Sequence, residues 1–158
     1  MTISYGSTFQ MGTDSPDTTN TPGLNVGGDM TVTGSTVYVY SGNQPTNAAG
    51  ALVTVGGALT IQSATNYFFS HMTNGGSPWL TVRDLVVRTN GVLRADGGGF
   101  RGGAAYSGTD QGLGPGGGLN FGDGGGGGSY GGRGRGRGVA NFPYVGQTYG
   151  SSNAPLNA

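Results

Sequence analysis

The chain has 158 residues, of which 37 are glycine, seven Arg and seven Asp, with no Lys, Glu or Cys and a formal net charge of zero. Glycine far exceeds its usual ~7%, and the neutral balance gives the whole molecule no electrostatic pull toward nucleic acid or an anionic membrane. The lack of Cys excludes a disulfide framework and a thiolate metal site, and no apolar run approaches the ~18 residues of a membrane span.

The charge is unevenly placed. Residues 1–79 carry Asp14, Asp17 and Asp29 without an Arg (−3), whereas residues 80–158 carry all seven Arg against four Asp (+3). That polarity suits head-to-tail association, and chance explains it equally well with so few charges. The missing Lys and Glu are good helix formers, and no stretch repeats apolar residues at i, i+3, i+4, i+7. Thr, Val, Asn and Gly suit strands and turns, so an all-β chain is expected.

The N-terminus, "MTISYGSTFQ", has neither the basic start nor the apolar middle of a secretory signal. A processed or partial product, or export by another route, is expected. Residues 2–11 place Ile3, Tyr5, Phe9 and Met11 at apolar positions. They read as a strand segment available to pair with the free end of a neighbouring subunit.

A repeat follows. "LNVGGDMTVTGSTVYVY" (24–40) matches "VTVGGALTIQSATNYFF" (53–69) after a shift of 29, and "LTVRDLVVRTNGVLRA" (80–95) is a third copy with one residue fewer in its first turn. In each copy the third strand's inward position is expected five residues after the second strand: Val32 to Val37, Ile61 to Asn66 (polar in this copy), Val87 to Val92. Every copy reads as three very short alternating strands broken by Gly-Gly, Gly-Ser or Asn-Gly turns. Strands this short do not hold a hairpin, but they suit coils of a parallel β-solenoid, where equivalent positions stack ~4.8 Å apart. The expected inward columns are Val26/Val55/Val82, Met30/Leu59/Leu85 and Val32/Ile61/Val87. A β-sandwich also explains the strand spacing, but not turns that recur in register.

Residues 41–52 and 70–79 read as longer excursions between coils, and the second holds the only His and the only Trp. A lone His71 without Cys, Glu or a second His does not build a usual metal site. Trp79 and the "NYFF" aromatics (66–69) fill core or interface, or stack on sugars.

From Asp96 to Gly138 about half of the residues are glycine. A collagen period is missing, and "GGRGRGRGV" puts Arg where a calcium-binding nonapeptide needs Asp. "GLGPGGG" lacks the Lys of a phosphate loop. Arg133, Arg135 and Arg137 invite an RNA-binding reading, but three arginines within a neutral chain support it weakly. Disorder is the stronger competing reading, because few side chains repay the cost of ordering glycine. Against it, Phe100, Tyr106, Leu113, Leu119, Phe121 and Tyr130 recur as anchors, and the tail "VANFPYVGQTYGSSNAPLNA" is aromatic rather than charged. Glycine strands in a polyproline-II-like state can lie side by side, held by backbone and Cα–H···O bonds. Residues 96–158 are therefore expected to form an ordered glycine-rich layer packed on a solenoid of about three coils spanning 1–95.

"GVLRADGGGFRGG…GLGPGGG…GGGGSYGGRG…YGSSNAPLNA" resembles the glycine-rich modules of large bacterial surface and secreted proteins, over roughly residues 80–158. The resemblance implies a structural role like that of adhesins and extracellular filaments, and it carries over no catalytic residue. Such modules continue where this chain stops at Ala158, which suggests a truncated or separately assembled unit.

No paired carboxylates or Ser-His-Asp set can be argued, since Asp29 and Asp84 hold nearly equivalent positions with Ala58 between them. The expectation is a non-enzyme without cofactor or metal, self-associating outside the cell or at its surface. It has no nucleic-acid partner and no membrane insertion. Ile3, Tyr5, Phe9, Arg133, Arg135 and Arg137 are the candidate assembly residues. A phage tail-fibre module in a virion is the second class. A carbohydrate-binding module is the third, with Trp79, Tyr144 and Tyr149 stacking on cell-surface glycans.

Overall fold

The computed structural model describes residues 1–15, 19–45, 48–96, 99–100, 112–114, 116–118, 120–121 and 124–125. The chain divides into two units, Met1–Gly99 and Phe100–Ala158. The expectations placed on Arg133, Arg135, Arg137, Tyr144 and Tyr149, and on most of the glycine layer, lie outside the described residues.

The first unit is a parallel β-solenoid of about three turns, and no helix occurs among the described residues. Its described strands are β1 (Thr2–Ile3), β2 (Thr8–Met11), β3 (Gly23–Val26), β4 (Met30–Thr33), β5 (Thr36–Tyr40), β6 (Ala49–Gln62), β7 (Thr65–Phe69), β8 (Ser77–Val87) and β9 (Val92–Arg94). One sheet joins β3 and β4 to β6, adds β8 on the other side of β6, and closes with β1 against β4. The second sheet runs β2-β5-β7-β9. Every pairing in these two sheets is parallel. Within the second unit, β10 (Asn120–Phe121) pairs antiparallel with β11 (Gly124–Gly125).

The register follows the repeat. Val26 pairs with Val55 and Val55 with Val82; Met30, Leu59 and Leu85 align; Val32, Ile61 and Val87 align. The missing residue of the third copy appears as a bulge, with Val55-Gly-Gly-Ala58 opposing Val82-Arg-Asp84. A longer strand opposite a shorter one locally leaves a residue unpaired. The first two strands of the second and third copies are each one continuous strand, β6 and β8, so the excursions shorten to 41–48 and 70–76.

One spacing differs from expectation. Asn66 pairs with Leu93, not with Val92, because the Thr89-Asn90-Gly91 turn takes one residue more than Gly34-Ser35 or Ser63-Ala64. The three turns share a backbone device: Gly34, Ser63 and Asn90 all take positive φ (57°, 47° and 56°). Gly34 N–H donates to Gln62 O and Ser63 N–H to Thr89 O, so the ladder runs on through the corners. A left-handed residue is cheap for Gly and tolerated by Asn.

Alternation builds the core. Along β6, residues 51, 53, 55, 57, 59 and 61 are buried, with exposed or half-buried neighbours between them. Ile61, Val32 and Val55 are the largest fully buried side chains. Each such residue contributes about 1.5–3 kcal/mol by leaving water. Asn66 interrupts the apolar column between Val37 and Leu93, and its amide nitrogen has no hydrogen-bond partner among the described residues. A buried unpartnered amide is a net cost to stability.

Candidate assembly interface

A solenoid turn buries its inward side chains only when another turn covers them. The last turn displays the consequence. Leu85 and Val87 occupy inward columns, yet they are 48% and 47% exposed, whereas their partners Leu59 and Ile61 are buried at 4% and 0%. Val82 is half-buried. The three expected columns align in register, with their side chains buried in the inner turns and open at the third. Among the described residues, nothing pairs with the outer edge of β8 or β9.

At the opposite end, residues 2–11 pair within their own chain. Thr2 and Ile3 lie beside Thr31 and Val32, and Thr8–Met11 beside Thr36–Val39. Ile3 and Met11 are buried and Phe9 packs against the core. This segment is thus a partial first turn, with its ladder bonds satisfied on one side by this chain. Among the described residues, no strand pairs with its other side. Tyr5, in the turn between β1 and β2, is 79% exposed, and its ring lies against Gly34. Of the three N-terminal candidates, Tyr5 is the most open to contact, while Ile3 already belongs to the core.

The two ends differ in charge. The first turns present Asp14 and Asp29, while β8, β9 and their flanks hold Arg83, Arg88 and Arg94 against Asp84 and Asp96. Arg83 Nε donates to Asp84 Oδ2 at 2.8 Å, and Arg94 Nε to Asp96 Oδ2 at 2.8 Å. The Asp hydrogen bond is the first cause, and the Asp charge the second, that raises each guanidinium pKa above the usual arginine value. Arg88 forms no ion pair with a described residue.

Asp29 has a structural task. Its Oδ1 accepts the Ala58 N–H at 2.8 Å, and its carbonyl accepts from the Met1 ammonium at 2.7 Å. Ala58 in turn pairs with Asp84, so Ala58 stands between the two carboxylates. Among the described residues, no three of His, Asp, Glu or Cys converge.

Tyr38, Tyr40, Tyr67 and Phe69 stand on the outer face of the second sheet, while Phe68 packs inward against the core. Tyr38 stacks on Tyr67 (5.1 Å, 8°) and Tyr40 on Phe69 (4.8 Å, 11°). Rings nearly parallel and this close lie face over face, since coplanar neighbours would collide. The ladder consumes its own ring faces, and Arg94 covers one end at 5.7 Å from the Tyr67 centroid. Burial, then the negative charges of Asp14 and Tyr38, push the Tyr40 hydroxyl above its usual pKa.

Trp79 is 54% exposed and lies outward beside Leu52, so it does not fill the core. His71 is buried at 4%, with Nδ1 accepting from Thr73 N–H at 3.3 Å and Nε2 3.3 Å from the Ser15 carbonyl. The first bond closes the 70–76 loop on itself, and the second ties it to Ser15. An open depression of ≈ 300 Å³ follows the corner turns at Gly34, Ser63 and Asn90, and no titratable side chain lines it.

No family model, curated protein or solved structure matches this chain.

Proposed function

We propose that the chain is a non-catalytic structural module of an extracellular or surface fibre, whose subunits associate head to tail. The single observation that carries this reading is the third turn, whose inward Leu85 and Val87 are about half exposed on a strand edge that no described residue pairs with. Open parallel edges recruit further strands, and a heterologous contact that does not close on itself generates a filament. The opposite charges of the two halves favour the same polarity. The resemblance of residues 80–158 to bacterial surface modules supports the setting.

Sedimentation velocity and electron microscopy across a concentration series provide the test. Growth of assemblies with concentration is expected. A stable monodisperse monomer at high concentration overturns the proposal, and a closed trimer on a three-fold axis moves the protein to the virion-fibre class.

The exposed Trp79–Leu52 patch favours a second reading, glycan binding by indole stacking. In that case a glycan array reports binding that Trp79→Ala abolishes. Binding that survives the substitution removes Trp79 from the site.

A further inference from the structure

Head-to-tail association leaves open which strand meets which, and in what register. We infer that the β8–β9 edge of one copy receives β1 and β2 of the next, placing Val86 on Thr2, Val87 on Ile3, Val92 on Thr8 and Leu93 on Phe9. This inference rests on the self-association proposed above and names its interface.

Four observations converge on that register. First, all pairings of both sheets are parallel, so the outer edges of β8 and β9 are complementary to those of β1 and β2 without reversal of either copy. Second, the columns already run through the turns in this order. Ile3, Val32, Ile61 and Val87 share one, and Phe9, Val37, Asn66 and Leu93 share another. Adding the next copy's Ile3 after Val87 and Phe9 after Leu93 extends each column by its own rule.

Third, the facing side chains match in polarity. Val87 at 47% exposure gains the cover that Ile61, one turn inside, already has. Leu93, packed on one side against the core, meets the aromatic Phe9. Fourth, the charge is complementary. Arg83 and Arg94 are paired with Asp84 and Asp96, which leaves Arg88 as the positive charge of the receiving edge, while the incoming end carries Asp14. A slip of one residue would turn apolar side chains outward, because successive residues of a strand face opposite sides.

The same register gives the exposed Tyr5 a neighbour. It lies in the β1–β2 turn, and the next residue of the receiving copy after Val87 is Arg88. The β1–β2 turn therefore faces the β8–β9 turn, where a guanidinium and an aromatic ring meet favourably.

Disulfide trapping tests the register, and the absence of native Cys makes it clean. Thr8 and Val92 are both exposed and outward, and they are linked in one copy by the pairings Thr8–Thr36, Thr36–Thr65 and Thr65–Val92. Three strand spacings separate them within a copy by about 14 Å, beyond the ~7 Å reach of a disulfide between α-carbons. Between docked copies they are neighbours at ~4.8 Å. The full-length Thr8→Cys and Val92→Cys chains, mixed and oxidised mildly, are expected to give a covalent heterodimer. Asn25→Cys mixed with Val92→Cys serves as the mismatched control and is expected to give none. Thr2→Cys with Val86→Cys repeats the test on the other sheet. Assemblies that form in sedimentation but trap neither matched pair overturn the register and leave self-association standing. A cross-link from the Asn25 control equal to the matched pairs also overturns it. A monomer in sedimentation removes both.

Discussion

Ile61→Ala lowers the free energy of unfolding by about 2–5 kcal/mol, the range for removing a buried Ile from a core that closes only in part. Ile61 is 0% exposed, held between Val32 of the preceding turn and Val87 of the following one. The strands above and below are fixed in position by ladder hydrogen bonds, so they close little of the cavity. Val87→Ala lies in the same column, but its side chain is 47% exposed and less of it leaves water on folding. Its expected cost in an isolated chain is a small fraction of that of Ile61→Ala, since only buried area contributes to the transfer term. Urea denaturation of the two variants beside the parent chain measures the difference. Equal losses would mean that the last turn is as well covered as the inner one.

Gly56→Ala destabilises by about 1–3 kcal/mol, the usual cost of forcing atoms into a filled space. A Cβ at Gly56 would stand 2.5 Å from the Gly27 carbonyl oxygen, which belongs to the backbone and cannot swing aside. Gly27→Ala, in the same Val-Gly-Gly motif one repeat earlier, meets nothing within 4 Å. It is expected to leave stability unchanged or raise it by about 0.4–1 kcal/mol, because Ala restricts the unfolded chain. Thermal unfolding of the two variants decides the comparison. A Gly27→Ala chain as damaged as Gly56→Ala would show that the motif matters for its turn conformation and not for its layer.

The two pairs of variants also mark the limits of reading this chain as a string of letters. The match between Val26–Val32 and Val55–Ile61 at a shift of 29 was legible, and with it the parallel register of Met30/Leu59/Leu85. So was the one-residue deletion at Arg83-Asp84, which became the bulge opposite Gly56-Gly57. The extra residue of the Asn90-Gly91 turn was not. Val92 and Leu93 are both apolar, and local pattern alone does not choose which faces inward. Pairing with Thr65 and Asn66 chose Leu93.

The candidate interface divides in the same way. Ile3, Tyr5 and Phe9 look alike as apolar letters near the N-terminus, yet Ile3 lies in the core, Phe9 against it and Tyr5 in water. Alternation predicted a strand but not its partner, since the N-terminal strands pair with residues 28 or 29 positions along the chain, as in Thr8 with Thr36 and Thr2 with Thr31. Trp79 was equally ambiguous until its place beside Leu52 on the outer face was known.

The repeating unit is therefore written in the local pattern of the chain. Alternating strands, corner residues of positive φ and a repeat of nearly constant length specify which residues stack, because every coil solves a similar backbone problem. A residue's position in the stack is settled later, when the coils assemble. Burial of Ile61 and exposure of Val87, or the closed slot at Gly56 and the open one at Gly27, depend on whether another turn lies above or below. That is a property of the neighbours along the axis and not of the repeat itself.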